Sequence, residues 1–168
     1  MTEQVIIDSL EFAQKSLEIH GKIPLSQLPR LHDALCAGDG ELEYRLKGGV
    51  NAHGNPTLWL WVNGQLSLAC QRCLEPIEFP LSIRVNFVLV PGEGALPASE
   101  DEGDETDYLV ADPKLHVWQL VEDEVLLGLP LAPMHENTQC GSASAMGAVQ
   151  KKENPFKALQ GLKLKHKD

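Results

Sequence analysis

From Ile77 to Leu89 every second residue is apolar: Ile77, Phe79, Leu81, Ile83, Val85, Phe87 and Leu89. Glu78, Pro80, Ser82, Arg84 and Asn86 stand between them. A period of two this long cannot line one face of a helix. It predicts a strand over Pro76–Val90 with one side against a core. Such a strand is not stable alone, so the chain must supply partners. Pro80 brings no N–H to a ladder and predicts an edge or a bulge at that end.

Partners are legible on both sides. Leu42, Tyr44 and Leu46 alternate with Glu41, Glu43, Arg45 and Lys47, giving a half-buried strand. Thr57–Val62 reads as a strand apolar on both faces, Trp59 and Trp61 opposing Leu58, Leu60 and Val62. Asn63-Gly64 is a hairpin-turn signal, which makes Gln65–Cys70 the return strand. Gly48-Gly49 and His53-Gly54-Asn55-Pro56 mark further turns. Tyr108–Val110 is one more short strand.

Three segments carry helical spacing. Residues 8–19 place Leu10, Ala13 and Leu17 on one face, with Asp8 or Ser9 as cap and Gly21 as stop. Residues 25–37 place Leu28, Leu31 and Leu35 likewise, with Pro29 in the first turn and Cys36 as a small buried apolar residue near the end. Pro113 starts a third helix over about 114–128; Trp118, Val121 and Val125 face inward, and Glu122, Asp123 and Glu124 face out.

The expected fold is therefore α+β: a curved, mainly antiparallel sheet or partly closed barrel from strands between 40 and 110. Two N-terminal helices and one packed helix in the C-terminal half accompany it, followed by a basic tail. Residues 1–140 form the expected single globular domain, with 91–107 as an acidic mobile loop, since six acids in eight positions from Glu100 to Asp107 cannot bury themselves. Residues 141–168 are the expected flexible linker and short basic amphipathic tail. Asn154 caps that tail helix and Pro155 takes its first position.

Charge is distributed unevenly. The formal net charge is −10, yet the last eighteen residues hold six lysines against Glu153 and Asp168, a local +4 that leaves −14 on the first 150. An acidic body repels nucleic acid at long range, so any phosphate contact must come from gathered cations. The start of the chain carries no basic region followed by an apolar run, and no apolar run reaches the ~20 residues that span a bilayer. A cytoplasmic protein with reduced thiols is the expectation.

Four cysteines are present: Cys36, Cys70, Cys73 and Cys140. Cys70-Gln71-Arg72-Cys73 with His135 and Cys140 makes a donor set suited to tetrahedral zinc. Reduced thiols packed in a core, with His135 hydrogen-bonded, account for the same residues. Redox use is the third reading, but it wants a helix start that lowers the thiol pKa, and the motif follows a strand. The spacing of His20, His32, His53, His116 and His166 suggests no ligand pairing. Phosphate-loop, dinucleotide and nucleophile-elbow motifs are all missing, so no catalytic residues are assigned. Glu122-Asp123-Glu124 point in different directions on a helix; only Glu124 flanks the apolar row.

Taken in order, several segments resemble the YceD family, the large ribosomal RNA subunit accumulation proteins of bacteria and plastids. They are Ala13-Gln-Lys-Ser-Leu17 with Gly21, and Leu68-Ala-Cys-Gln-Arg-Cys-Leu-Glu-Pro76. Val121-Glu-Asp-Glu-Val-Leu-Leu-Gly-Leu-Pro-Leu-Ala-Pro-Met-His135 with Cys140, and Asn154-Pro-Phe-Lys-Ala-Leu-Gln-Gly-Leu-Lys163, complete them. The resemblance implies a non-enzymatic role in the synthesis, processing or stability of 23S ribosomal RNA.

Two classes of mechanism follow. In the first, Lys151, Lys152, Lys157, Lys163, Lys165 and Lys167 contact RNA phosphates and Phe156 stacks on an unpaired base, with Arg72 and Arg84 extending the surface. Phe156 docking with Leu159 and Leu162 on the protein's own core is the competing account. In the second class the acidic body is an adaptor that engages a basic ribosomal protein or recruits an RNA-processing factor.

Overall fold

A computed structural model describes residues 5–96, 107–136 and 140 of the chain. Met1–Met134 form one compact unit. It begins with β1 (Ile6–Ile7), α1 (Ser9–Gln14) and β2 (Glu18–Pro24). Two 3-10 turns lead to β3 (Glu41–Val50), β4 (Pro56–Ala69) and β5 (Pro76–Val90), and then come β6 (Asp107–Val110), β7 (Leu115–His116) and α2 (Val117–Gly128). β2 through β6 lie side by side in chain order in one sheet. Its pairs are antiparallel except β5 with β6, which is parallel. β1 and β7 make a separate two-stranded ribbon. The α+β, mostly antiparallel expectation holds. The barrel alternative does not: among the described residues the sheet is open, with β2 and β6 as its edges.

The strand over Pro76–Val90 is where the alternation puts it. Its partner β4 buries Leu58, Leu60, Val62, Leu66 and Leu68 on the same side, and β3 adds Leu42, Tyr44 and Leu46. α1 contributes Phe12 and Ala13 to this core, and α2 contributes Val117, Trp118, Val121 and Val125. Pro80 is tolerated because β5 gains its second neighbour only from Phe87 onward, leaving the Pro80 end on an open edge.

The N-terminal helices differ most from expectation. α1 is six residues long, and Ser16 takes a left-handed φ of 50° just beyond it. From Glu18 the exposed Glu18, His20 and Lys22 alternate with Ile19, Gly21 and Ile23, so the stretch joins the sheet instead of continuing the helix. The segment expected as a helix over 25–37 is two 3-10 turns, Leu25–Gln27 and Pro29–Ala34. Leu25, Leu28 and Leu31 are almost fully buried at a spacing of three, which is the 3-10 period rather than the α period. Cys36 is exposed, not buried, and its N–H donates to the Ser67 carbonyl at 2.8 Å.

Two glycine-containing dipeptides expected as turns, Asn63-Gly64 and Gly48-Gly49, lie inside strands. β4 runs straight through Asn63-Gly64, and Gly64 faces Leu42, whose Cδ2 would stand 2.5 Å from an added Cβ. β3 runs through Gly48-Gly49, and a Cβ on Gly48 would meet the Phe12 carbonyl oxygen at 2.4 Å. Both glycines serve close approach, not reversal. The β3–β4 reversal is at 51–55, where the Asn51 side chain accepts from the His53 and Asn55 N–H groups, both at 3.0 Å.

Pro113 does not start α2, which begins at Val117 after β7. Trp118, Val121 and Val125 face inward as expected, but Glu122 is buried rather than outward. Its Oε1 accepts the Arg30 N–H at 2.7 Å, capping the second 3-10 turn. Most of the acidic stretch, the linker over 141–153 and the lysine tail lie outside the described residues.

Gly48→Ala is expected to destabilise the protein by about 1–3 kcal/mol, because backbone of α1 must move to admit the methyl. Gly38→Ala, with nothing within 4 Å, is expected to leave the urea midpoint nearly unchanged.

Candidate metal centre

The passage of β4 through Asn63-Gly64 places Cys70–Cys73 in the reversal between β4 and β5. That reversal is closed by two backbone bonds, Cys70 N–H to the Glu75 carbonyl and Leu74 N–H to the Cys70 carbonyl, both at 2.9 Å. Leu74 takes a left-handed φ of 63°. The Arg72 N–H donates to Cys70 Sγ at 3.4 Å.

The segment after α2 runs alongside this turn. Gln71 N–H donates to the Pro133 carbonyl at 2.8 Å, and Arg72 Nη2 lies 3.7 Å from the Met134 sulfur. His135 is the next residue. Cys70, Cys73, His135 and Cys140 each offer one ligand atom, and these atoms all lie within 4.8 Å of one another. Cys70 is buried and the other three are half-buried. A tetrahedron with Zn–S bonds of about 2.3 Å sets its ligand atoms about 3.8 Å apart, a separation of the same order as the 4.8 Å within which these four atoms lie. Three sulfurs and one imidazole nitrogen form a soft set that suits a zinc-like ion. The sequence expectation for these four residues is met as to their proximity.

The redox alternative gains nothing from the geometry. No helix begins at Cys70, and redox Cys-x-x-Cys motifs sit at a helix start.

Of the other candidates, Arg72 is exposed at the tip of the β4–β5 turn, and Arg84 is exposed on β5. Lys151, Lys152, Phe156, Lys157, Lys163, Lys165 and Lys167 lie outside the described residues. Within the acidic triplet, Glu122 is held by Arg30 N–H and Asp123 pairs with the Arg30 guanidinium. The Glu124 carboxyl is raised above its ordinary range, first by burial and then by the charges of Asp107 and Asp123. Trp61, Arg45 and His20, ordinary strand positions by sequence, line a pocket on the sheet's outer face. Only strand register brings them together, so no spacing along the chain signals it.

Comparison with known proteins adds two findings. The family model described as "Large ribosomal RNA subunit accumulation protein YceD" matches residues 59–163. The large ribosomal RNA subunit accumulation protein YceD of Haemophilus influenzae is 28% identical over 173 aligned residues, which take in 95% of each chain. No solved structure matches.

A leucine at a left-handed φ costs about 1–2 kcal/mol, and Leu74 is 76% exposed, so little burial is lost by removing it. Leu74→Gly is therefore expected to raise the apo protein's stability by up to about 1 kcal/mol, read as an increased urea midpoint with unchanged slope.

Proposed function

This chain belongs to the YceD family, and from that premise we propose that it supports accumulation of large-subunit (23S) ribosomal RNA as a non-enzymatic, RNA-binding assembly factor in the cytoplasm. The family match over 59–163 carries the reading, because it takes in the cysteine cluster and four of the six tail lysines. No helix among the described residues is long and apolar enough to cross a membrane. In this reading the RNA precursor is held by the tail lysines as point charges on phosphates, with Phe156 stacking on an unpaired base. Six such contacts give a salt slope of roughly −4 on a single strand. The −14 carried by the first 150 residues keeps weakly matched RNA away. That same acidity favours the second reading, an adaptor whose body engages a basic ribosomal protein or recruits a processing factor.

The Cys70, Cys73, His135 and Cys140 set is proposed to hold zinc. Four protein ligands fill the tetrahedron and leave no position for water or substrate, so the ion would act as a staple rather than a catalyst. Purified full-length protein is expected to carry about one zinc per chain by elemental analysis. Cys73→Ser is expected to lower both zinc content and melting temperature. Equal metal content in the two proteins would remove the staple.

Depleting the protein is expected to lower the ratio of large- to small-subunit ribosomal RNA. Full-length protein should restore it, and a chain ending at residue 150 should fall short. Full rescue by the shortened chain would move the contact to the folded body. An unchanged ratio on depletion would overturn the function.

A further inference from the structure

The sheet has one face on the core and one facing outward. On the outer face the registers align one residue from each of four strands: His20 opposite Arg45, Arg45 opposite Trp61, and Trp61 opposite Arg84. At ~4.8 Å between strands this row runs about 15 Å across the sheet. A concave pocket of about 520 Å³ lies over it, bordered also by Lys22, Glu43 and Asn63. Its lining holds the cations Lys22, Arg45 and Arg84 and the carboxylate Glu43. Glu41 and Glu43 pair with Lys22 and Glu18 pairs with Arg45, so among the described residues Arg84 is the lining cation without an ion pair.

The groups are held in place before any ligand arrives. Arg45 Nε donates to Glu18 Oε1 at 2.7 Å, and this bond keeps the Glu18 carboxyl below its ordinary range. The Arg45 guanidinium carbon sits 5.2 Å from the Trp61 ring centroid, within cation–π range. Lys22 is paired with Glu41 and Glu43. Arg84, by contrast, is exposed and makes no ion pair among the described residues. The Asn63 Oδ1 accepts from Ser82 Oγ at 3.0 Å, which orients its amide at the pocket's border. Two residues along β4 from Trp61, Trp59 lies on the same face, half-buried, between Lys47 and Asn86.

We infer that this outer face is a binding site for single-stranded RNA, built on Trp61, Arg45 and Arg84. A base stacks on the Trp61–Arg45 platform, and Arg84 meets the adjoining phosphate. Asn63 supplies hydrogen bonds to a base edge, and Trp59 offers a second stacking surface one row away. Aromatic rings interleaved with guanidinium groups on an open sheet suit unpaired bases, whose flat faces and charged backbone answer both features. An acidic peptide would satisfy the charge but leave the ring without a planar partner. A tryptophan on a strand surface can serve only to cover its cross-strand neighbours; the concavity and the unpaired Arg84 go beyond that. The inference deepens the proposed function and rests on it only for the choice of RNA as the nucleic acid.

The test uses the full-length chain and a twelve-nucleotide oligouridylate at low salt, read by tryptophan emission and by anisotropy of the labelled RNA. Wild type is expected to bind with quenched emission. Arg84→Glu and Trp61→Ala, each checked for folding by circular dichroism, are expected to weaken binding about tenfold or more. Trp61→Phe keeps a stacking surface and should retain most of the affinity while losing part of the quenching. Unchanged affinity in folded Arg84→Glu and Trp61→Ala proteins would overturn the site. So would uridine monophosphate binding as tightly as the oligomer, which would make this a nucleotide pocket. Absence of any RNA binding, with large-subunit RNA still falling on depletion, would sink the inference and leave the role in ribosomal RNA accumulation to the adaptor reading. Binding that depends on Arg84 alongside a normal ribosomal RNA ratio on depletion would keep the site and sink the proposed function.

Discussion

The pairing of β4 with β5 is the constraint on which the rest depends. It runs without a break from Thr57 opposite Val88 to Ala69 opposite Pro76, thirteen pairs in all. One side of this long ribbon carries the leucine, valine and phenylalanine side chains that form the core. The other side carries Trp61 and Arg84 into the outer pocket. Its closed end is the turn that holds Cys70 and Cys73. A one-residue slip would exchange the two faces and move the cysteines out of the reversal, so a single register fixes core, pocket and turn together.

Gly64 shows how that register is enforced. Opposite Leu42 there is no room for a Cβ, so only glycine lets β3 and β4 approach at that position. Glu122 acts at longer range: its carboxylate leaves α2 to satisfy an N–H of the turn at Pro29–Ala34, ninety-two residues earlier in the chain. Buried carboxylates are stable only with such partners, and this one ties the 3-10 region to the helix packed beside it.

Much of this was readable from residues alone, and the failures have identifiable causes. Strict alternation made β5 and β3 legible, because a half-buried strand leaves no other arrangement of its side chains. Asn63-Gly64 misled because the same dipeptide serves both a tight turn and a strand crowded by its neighbour, and only the neighbour decides. The N-terminal segments misled because leucines three apart suit a 3-10 turn as well as an α-helix, and because β2 follows α1 with only a three-residue gap. The four metal-site candidates were found because cysteine and histidine are few and their chemistry is specific. The outer row was not, since His20, Arg45, Trp61 and Arg84 are far apart in sequence and meet only through three successive pairings.

The ribbon of β1 and β7 bears on the order in which the unit assembles. It joins Ile6 to His116 and Ile7 to Leu115, two pairs that close a loop of more than a hundred residues. The β4–β5 hairpin closes a reversal of six. By the logarithmic loop law the ribbon starts with about 2–3 kcal/mol more closure entropy against it, and it has two pairs rather than thirteen to offset it. The hairpin is thus the natural nucleus and the ribbon the final seam. Amide protons of Ile6 and Ile7 should then exchange through local opening, while those at the centre of β4 report global unfolding.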